Sequence, residues 1–158
     1  MSSAASRPAI RVDYQALAAF RTEIRRFLHA SEVAARSAGL EPQQHQLLLL
    51  LKGSDHDDAA TVAWLADRLQ LRHHSVVGLI DRLEANGLAR RTRDPGDHRR
   101  VLVDLTRKGE RVLHRLSVFH QQELGSRGPR LIATLTAVMR GAGRGAERGA
   151  GRGARPGA

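Results

Sequence analysis

The stretch from Arg72 to Thr106 constrains this chain most, because an apolar-periodic segment, RHHSVVGLIDRLEANG, runs straight into a short basic hairpin, LARRTRDPGDHRRVLVDLT. Leu88 to Arg91 reads as a short extended run, Asp94-Pro95-Gly96-Asp97 is turn chemistry, and Val101 to Leu105 alternates with β-branched content. Two strands therefore flank a loop. On its shoulders and tip stand Arg90, Arg91, Arg93, Arg99 and Arg100 against Asp94 and Asp97, on an element too small to bury them. Cations at a protruding tip suit a phosphate backbone or a narrow minor groove.

The segment ahead of the hairpin predicts a helix from about Arg72 to Gly87, with Val76, Ile80 and Leu83 at three- to four-residue spacing and Asn86-Gly87 as its left-handed exit. Its first turn offers Arg72, His73, His74, Ser75 and Val76, and Arg82 follows two turns on. Donors at a helix N-terminus, aided by free backbone amides and the macrodipole, meet phosphates and base edges. Upstream, Thr61 is placed to cap a short helix carrying Val62, Leu65, Ala66 and Leu69, and the residues between Leu69 and Arg72 form a tight turn. The order is helix, turn, helix, wing.

These residues resemble the MarR family of bacterial transcription regulators over about residues 61 to 113. The family's wing pattern, Asp-x-Arg followed by Leu-Thr and then Gly, is matched by Asp97, Arg99, Leu105, Thr106 and Gly109. LIDRLEANGLARR resembles the family's recognition-helix exit into the first wing strand, and TVAWLADRLQL the helix that braces it. The resemblance implies a homodimer on double-stranded DNA. In it Arg99 enters the minor groove, Asp97 orients that arginine, and the helix from Arg72 lies in the major groove. With Arg93 and Arg100 these complete the DNA-contacting set. The chain departs from the pattern at His74, where many relatives carry a small hydroxyl residue, and at Gly78, where many carry a basic one. Base preference is therefore not transferable.

A chain of 158 residues with 41% hydrophobic and 3% aromatic content suffices for one compact domain whose core is Leu, Val and Ala. No cysteine is present, which excludes disulfides, cysteine zinc sites and thiol switches. The longest apolar run, Leu47 to Leu51, is far short of the roughly 20 residues that span a bilayer, and MSSAASRPAIRVD lacks a hydrophobic signal core. The expectation is a cytoplasmic protein with no membrane partner. Net charge is +10, and four arginines against one glutamate in the last 18 residues leave the rest basic in its own right.

The expected fold is mainly α with a small β-hairpin wing: a winged helix-turn-helix domain, 61–106, with N- and C-terminal dimerisation helices, 12–40 and 106–140. Residues 1–11 read as a disordered arm. A long helix from Asp13 to about Ala38 carries Leu17, Phe20, Ile24 and Phe27 or Leu28 on one stripe, and Gly39 ends it. Pro42 opens a second helix through Lys52, whose leucine run must be buried. After the wing, Thr106 starts a helix that Gly125 to Gly128 breaks before a last one, Arg130 to Arg140. The terminal helices carry more apolar surface than a winged domain covers, so pairing across a two-fold axis is expected. Residues 141–158, GAGRGAERGAGRGARPGA, are low-complexity and expected to be disordered.

An effector cleft where dimer helices meet the DNA-binding lobe, usual in relatives, has Phe20, Arg25, His29, His45, Leu49, Trp64 and His114 as lining candidates. An anionic or aromatic small molecule suits those side chains. No cofactor and no metal is expected: the histidines lack zinc-helix spacing, and His114 and His120 fall on different helix faces. His74, Ser75 and Asp81 on an exposed helix, without an oxyanion loop, do not make an enzyme. The chain thus reads as a sequence-specific regulator, in the commoner case a repressor released by its ligand. The rival is a nonspecific architectural DNA binder, since basic charge and a wing need not confer specificity.

Overall fold

A computed structural model describes residues 12–54, 60–97 and 99–150, the side chains of 142–150 excepted. Its order is α1 (Tyr14–Ser37), α2 (Pro42–Gly53), α3 (Val62–Leu69), α4 (His73–Ala85), β1 (Ala89–Arg93), β2 (Val101–Leu105) and α5 (Arg107–Ala150). The fold is mainly α with one antiparallel hairpin. Two compact units are present, one made of residues up to Leu28 and from Glu123 onward, the other of His29–Gln122.

Each helix end in the second unit has a chemical cause. α1 stops where Gly39, at φ +75°, lets the Leu40 amide donate to the Ala35 carbonyl at 2.9 Å and buries Leu40. Pro42 fills the first position of α2, where a missing amide costs nothing, and Glu41 and Gln44 form a reciprocal capping box. The Thr61 hydroxyl caps α3 by accepting from the Trp64 amide at 3.2 Å. α4 ends at Gly87, φ +64°, with the Leu88 amide returning to the Leu83 carbonyl at 2.8 Å.

The core lies among α2, α3, α4 and the hairpin, where Leu47, Leu48, Leu65, Val76, Ile80 and Leu83 are fully buried. Each such side chain contributes roughly 1.5–3 kcal/mol of hydrophobic stabilisation. Leu47 and Leu48 meet the expectation of a buried leucine run, whereas Leu49, Leu50 and Leu51 are half-buried. The hairpin pairs Ala89 with Leu105 and Arg93 with Val101. It is longer than the Leu88–Arg91 run foreseen, because cross-strand pairing recruits Thr92 and Arg93. A bridge from Thr61 to Leu102, with the Val103 amide donating to the Ala60 carbonyl at 2.9 Å, fastens the start of α3 to the second strand.

The junction of hairpin and α5 explains the Leu-Thr-x-x-Gly spacing. Thr106 donates its hydroxyl to the Gly87 carbonyl at 2.7 Å and accepts from the Gly109 amide at 3.0 Å, capping α5 while holding it to the end of α4. Any side chain at 109 would drive its Cβ into the Leu88 carbonyl. Lys108 adds a bond from Nζ to the Asn86 carbonyl at 2.8 Å.

Two expectations are corrected here. α5 does not break at Gly125–Gly128 but runs through Pro129 as one helix. Proline removes one backbone bond and crowds the carbonyl four residues back. Arg127 is bonded to Glu123 at 2.7 Å before it, and Arg130 lies beside the buried Glu23 of α1 at 3.5 Å after it. Residues 141–150, expected without order, extend that helix, since adding turns to a helix already nucleated avoids the nucleation cost. Residues 1–11 and 151–158, the rest of the expected disordered arm and tail, lie outside the described residues.

Candidate DNA interface

The first turn of α4 is open to solvent. Arg72 is its N-cap residue, at φ −70° and ψ 147°, with no side-chain cap bond. Arg72, His73 and His74 are exposed and Ser75 is half-exposed. Val76 is not: it is fully buried in the core, which overturns its place among the DNA contacts. The apolar period that makes α4 a helix turns position 76 inward. Arg82 is exposed, and its Nη1 lies 3.6 Å from where a Cβ at Gly78 would stand. The guanidinium thus stands beside the bare backbone at Gly78.

In the hairpin loop, two aspartates set the turn. Asp94 Oδ1 accepts from the Gly96 amide at 2.8 Å, and Asp97 Oδ1 from the Arg99 amide at 3.0 Å. The Arg100 amide donates to the Asp97 carbonyl at 2.9 Å. These are Asx turns, in which a carboxylate replaces a backbone acceptor. Asp97 therefore orients Arg99 through its backbone rather than by pairing with its guanidinium. Arg100 stands 3.5 Å from Asp94, while Arg93 and Arg99 are exposed and have no ion pair among the described residues.

Arg91, which the sequence counts among the wing's cations, has a different task. Its backbone amide donates to Glu84 Oε1 at 2.6 Å, its Nη1 to Glu84 Oε2, and its Nη2 to Asp81 Oδ1 at 2.7 Å. Burial disfavours the charged guanidinium, but hydrogen bonds and charge from the two carboxylates outweigh this and raise its pKa. One arginine thus ties the first wing strand to the last turns of α4 and offsets the two acidic groups of that helix. The signal was in the sequence as Asp81, Glu84 and Arg91, but only pairing shows which cation is engaged.

The ligand candidates divide. Phe20, half-buried, and Arg25, exposed, belong to the first unit. In the second, His29 is exposed and Leu49 half-buried, and Trp64 is half-buried with the Arg68 guanidinium 5.2 Å from its ring centre. His45 is 4% exposed and stacked on His120 of α5, ring centres 4.8 Å apart. Its Nε2 is buried with no hydrogen-bond partner among the described residues. Burial, then the charge of His120, lowers the His45 pKa to about 4. His114 is exposed in a cleft of about 580 Å³ with Arg107, Glu110, Arg111 and Arg115. Among the described residues no three histidine or carboxylate side chains converge as a metal site would require.

A model of the MarR family matches residues 38–100. Over 64 residues the chain is 33% identical to YsmB of Bacillus subtilis (strain 168), an uncharacterised HTH-type transcriptional regulator, covering 40% of this chain and 44% of that one. The matched region is thus less than half of that relative. The structure of CouR from Rhodococcus jostii RHA1 bound to p-coumaroyl-CoA is 25% identical with a TM-score of 0.65, over 85% of this chain and 91% of that chain. The S. aureus MepR–DNA complex shares the fold at 21% identity and a TM-score of 0.57, over 80% and 99%. The matched segment holds α3, α4 and β1, and over residues 38–100 the chain is similar to the MarR family.

Proposed function

We propose that this protein is a homodimeric, sequence-specific DNA-binding regulator, a repressor released from a pseudo-palindromic operator when a small organic anion binds. The observation that carries the reading is Arg91: by tying the hairpin to α4 it makes the open first turn of the helix and the arginine-bearing wing one rigid reading head. Arg72, His73, His74 and Ser75 then meet the major groove, and Arg93, Arg99 and Arg100 the flanking backbone and minor groove. The second copy is called for by the first unit, where Tyr14, Leu28, Ile132 and Met139 are more than half exposed. A C2 pairing buries such a face. Ligand control is supported by the CouR structure with p-coumaroyl-CoA. In this mechanism the ligand favours a spacing of the two reading heads that does not fit successive grooves.

The test is fluorescence anisotropy on the duplex upstream of the protein's own gene and on a shuffled duplex, each across a salt series. Site-specific regulation requires roughly a thousandfold preference for the native duplex at physiological salt. Equal affinity for both, lost steeply with salt, would replace this reading with nonspecific architectural binding.

A further inference from the structure

From Arg140 the sequence repeats in fours, Arg-Gly-Ala and then a variable residue, with arginine at 140, 144, 148 and 152, glycine one place later and alanine after that. As far as Ala150 this repeat is helical backbone, the last part of α5. A four-residue step is one turn plus about 40°, so positions 140, 144 and 148 stay within about 80° of one helix face, about 6 Å apart along the axis. The glycines form the column beside them. Within the first unit one contact shows which column packs. A Cβ at Gly141 would stand 3.3 Å from the Cβ of Asp13, whose Oδ1 caps the start of α1 by accepting from the Ala16 amide at 2.9 Å. The glycine column thus begins against α1. The arginine column begins at Arg140, which is exposed and has no ion pair among the described residues. Over residues 141–158 four arginines stand against the one carboxylate of Glu147, a net charge of +3.

We propose that this arginine repeat is a second, sequence-independent contact surface, for the phosphate backbone of duplex DNA. What accompanies the arginines selects the polyanion. Residues 140–155 contain no aromatic side chain, whereas single-stranded nucleic acid is held by stacking its bases on aromatic rings. They contain no leucine, isoleucine, valine or phenylalanine either, so a helix of this sequence has no face to sink into a lipid interface. Glycine and alanine let the backbone come close to a partner, and guanidinium groups take phosphate oxygens two at a time. A surface of charge and small residues, without side chains that read base edges, gives affinity without preference. The contact rests on the DNA reading proposed above: the reading head selects the site, and the tethered repeat meets flanking phosphates at a high effective concentration.

The test compares the full chain with a variant carrying Arg144→Gln, Arg148→Gln, Arg152→Gln and Arg155→Gln, by anisotropy on the native duplex, the shuffled duplex and a single-stranded RNA of equal length, across a salt series. Each duplex phosphate neutralised contributes about 0.9 to the slope of log affinity against log salt. The variant is expected to flatten that slope by about 2 or more and to lose about tenfold or more in affinity at low salt, equally for both duplexes. The matching Arg→Lys changes should keep the slope, because counterion release follows charge rather than the guanidinium fork. Unchanged slope and affinity on both duplexes would overturn the assignment while leaving site-specific binding in place. A loss confined to the RNA would assign the repeat to single strands and also overturn it. A full chain without affinity for either duplex would overturn the DNA reading itself, and this contact with it.

Discussion

Arg91 and Glu84 are joined twice, once through the Arg91 backbone amide at 2.6 Å from Oε1 and once through its guanidinium to Oε2. The first bond is available to any residue but proline at position 91. The second, with the bond to Asp81, requires the fork of an arginine. The pairing links a wing strand to the helix seven residues before it, so disturbing it alters how the two elements proposed to face DNA are held relative to each other. Arg91→Ala is expected to lower stability by about 1 kcal/mol, since the group is less than one-third exposed. It should also reduce discrimination between native and shuffled duplex. Urea unfolding and anisotropy on the same preparations check both, and Arg91→Lys should recover stability better than discrimination. Unchanged discrimination in Arg91→Ala would separate the two elements energetically.

Arg99 is exposed and without an ion pair among the described residues, and its backbone is placed by Asp97. Arg99→Ala should cost about 1–3 kcal/mol of DNA affinity and leave the urea midpoint in place. Asp97→Ala should lower DNA affinity by a smaller amount, by loosening the turn rather than by removing a contact. Equal, undiminished affinity in both variants would take the wing tip out of the interface.

Gly109 faces the Leu88 carbonyl with no space for a side chain, and Thr106 spans α5 and the end of α4. Gly109→Ala is expected to destabilise by more than about 2 kcal/mol, because backbone must move on one side or the other. Thr106→Val should cost about 1–2 kcal/mol through loss of the cap. Thermal unfolding by circular dichroism ranks the two, and the reverse order would show that the cap outweighs the close approach.

His45 gives the fold a pH dependence whose sign is set by its environment. Its pKa falls from 6.5 to about 4 in the folded chain, because burial and His120 both oppose the charged form. Below pH 6.5 the unfolded chain therefore takes up a proton that the folded chain refuses, and stability declines as pH falls towards 4. Between pH 7.5 and 5 the loss from this residue is roughly 1–2 kcal/mol. His45→Gln should flatten the slope of urea midpoint against pH over that interval. An unchanged slope would show that His45 is protonated without penalty.

The order helix, turn, helix, wing was legible in the residues because it rests on local chemistry. Thr61, Pro42, Gly39 and Gly87 cap, open or end helices through bonds within a few residues of themselves, and the period of Val76, Ile80 and Leu83 is a property of one helix. Tertiary structure decided what that chemistry leaves open. Val76 lies in the first turn proposed to meet DNA and in the stripe that packs, and burial against α2 and α3 resolved the choice. Arg91 and Arg99 are both wing arginines, separated in role by the carboxylates of α4 that reach one and not the other. Gly125, Gly128 and Pro129 spell a break, yet α5 runs through them, with ion pairs at Arg127 and Arg130 on either side. His45 and His120 are 75 residues apart in the sequence, and nothing local announces that their rings stack. Caps, turns and periods are short-range and additive enough to be read from the chain, whereas the charge state and exposure of a side chain depend on groups that only folding brings near it.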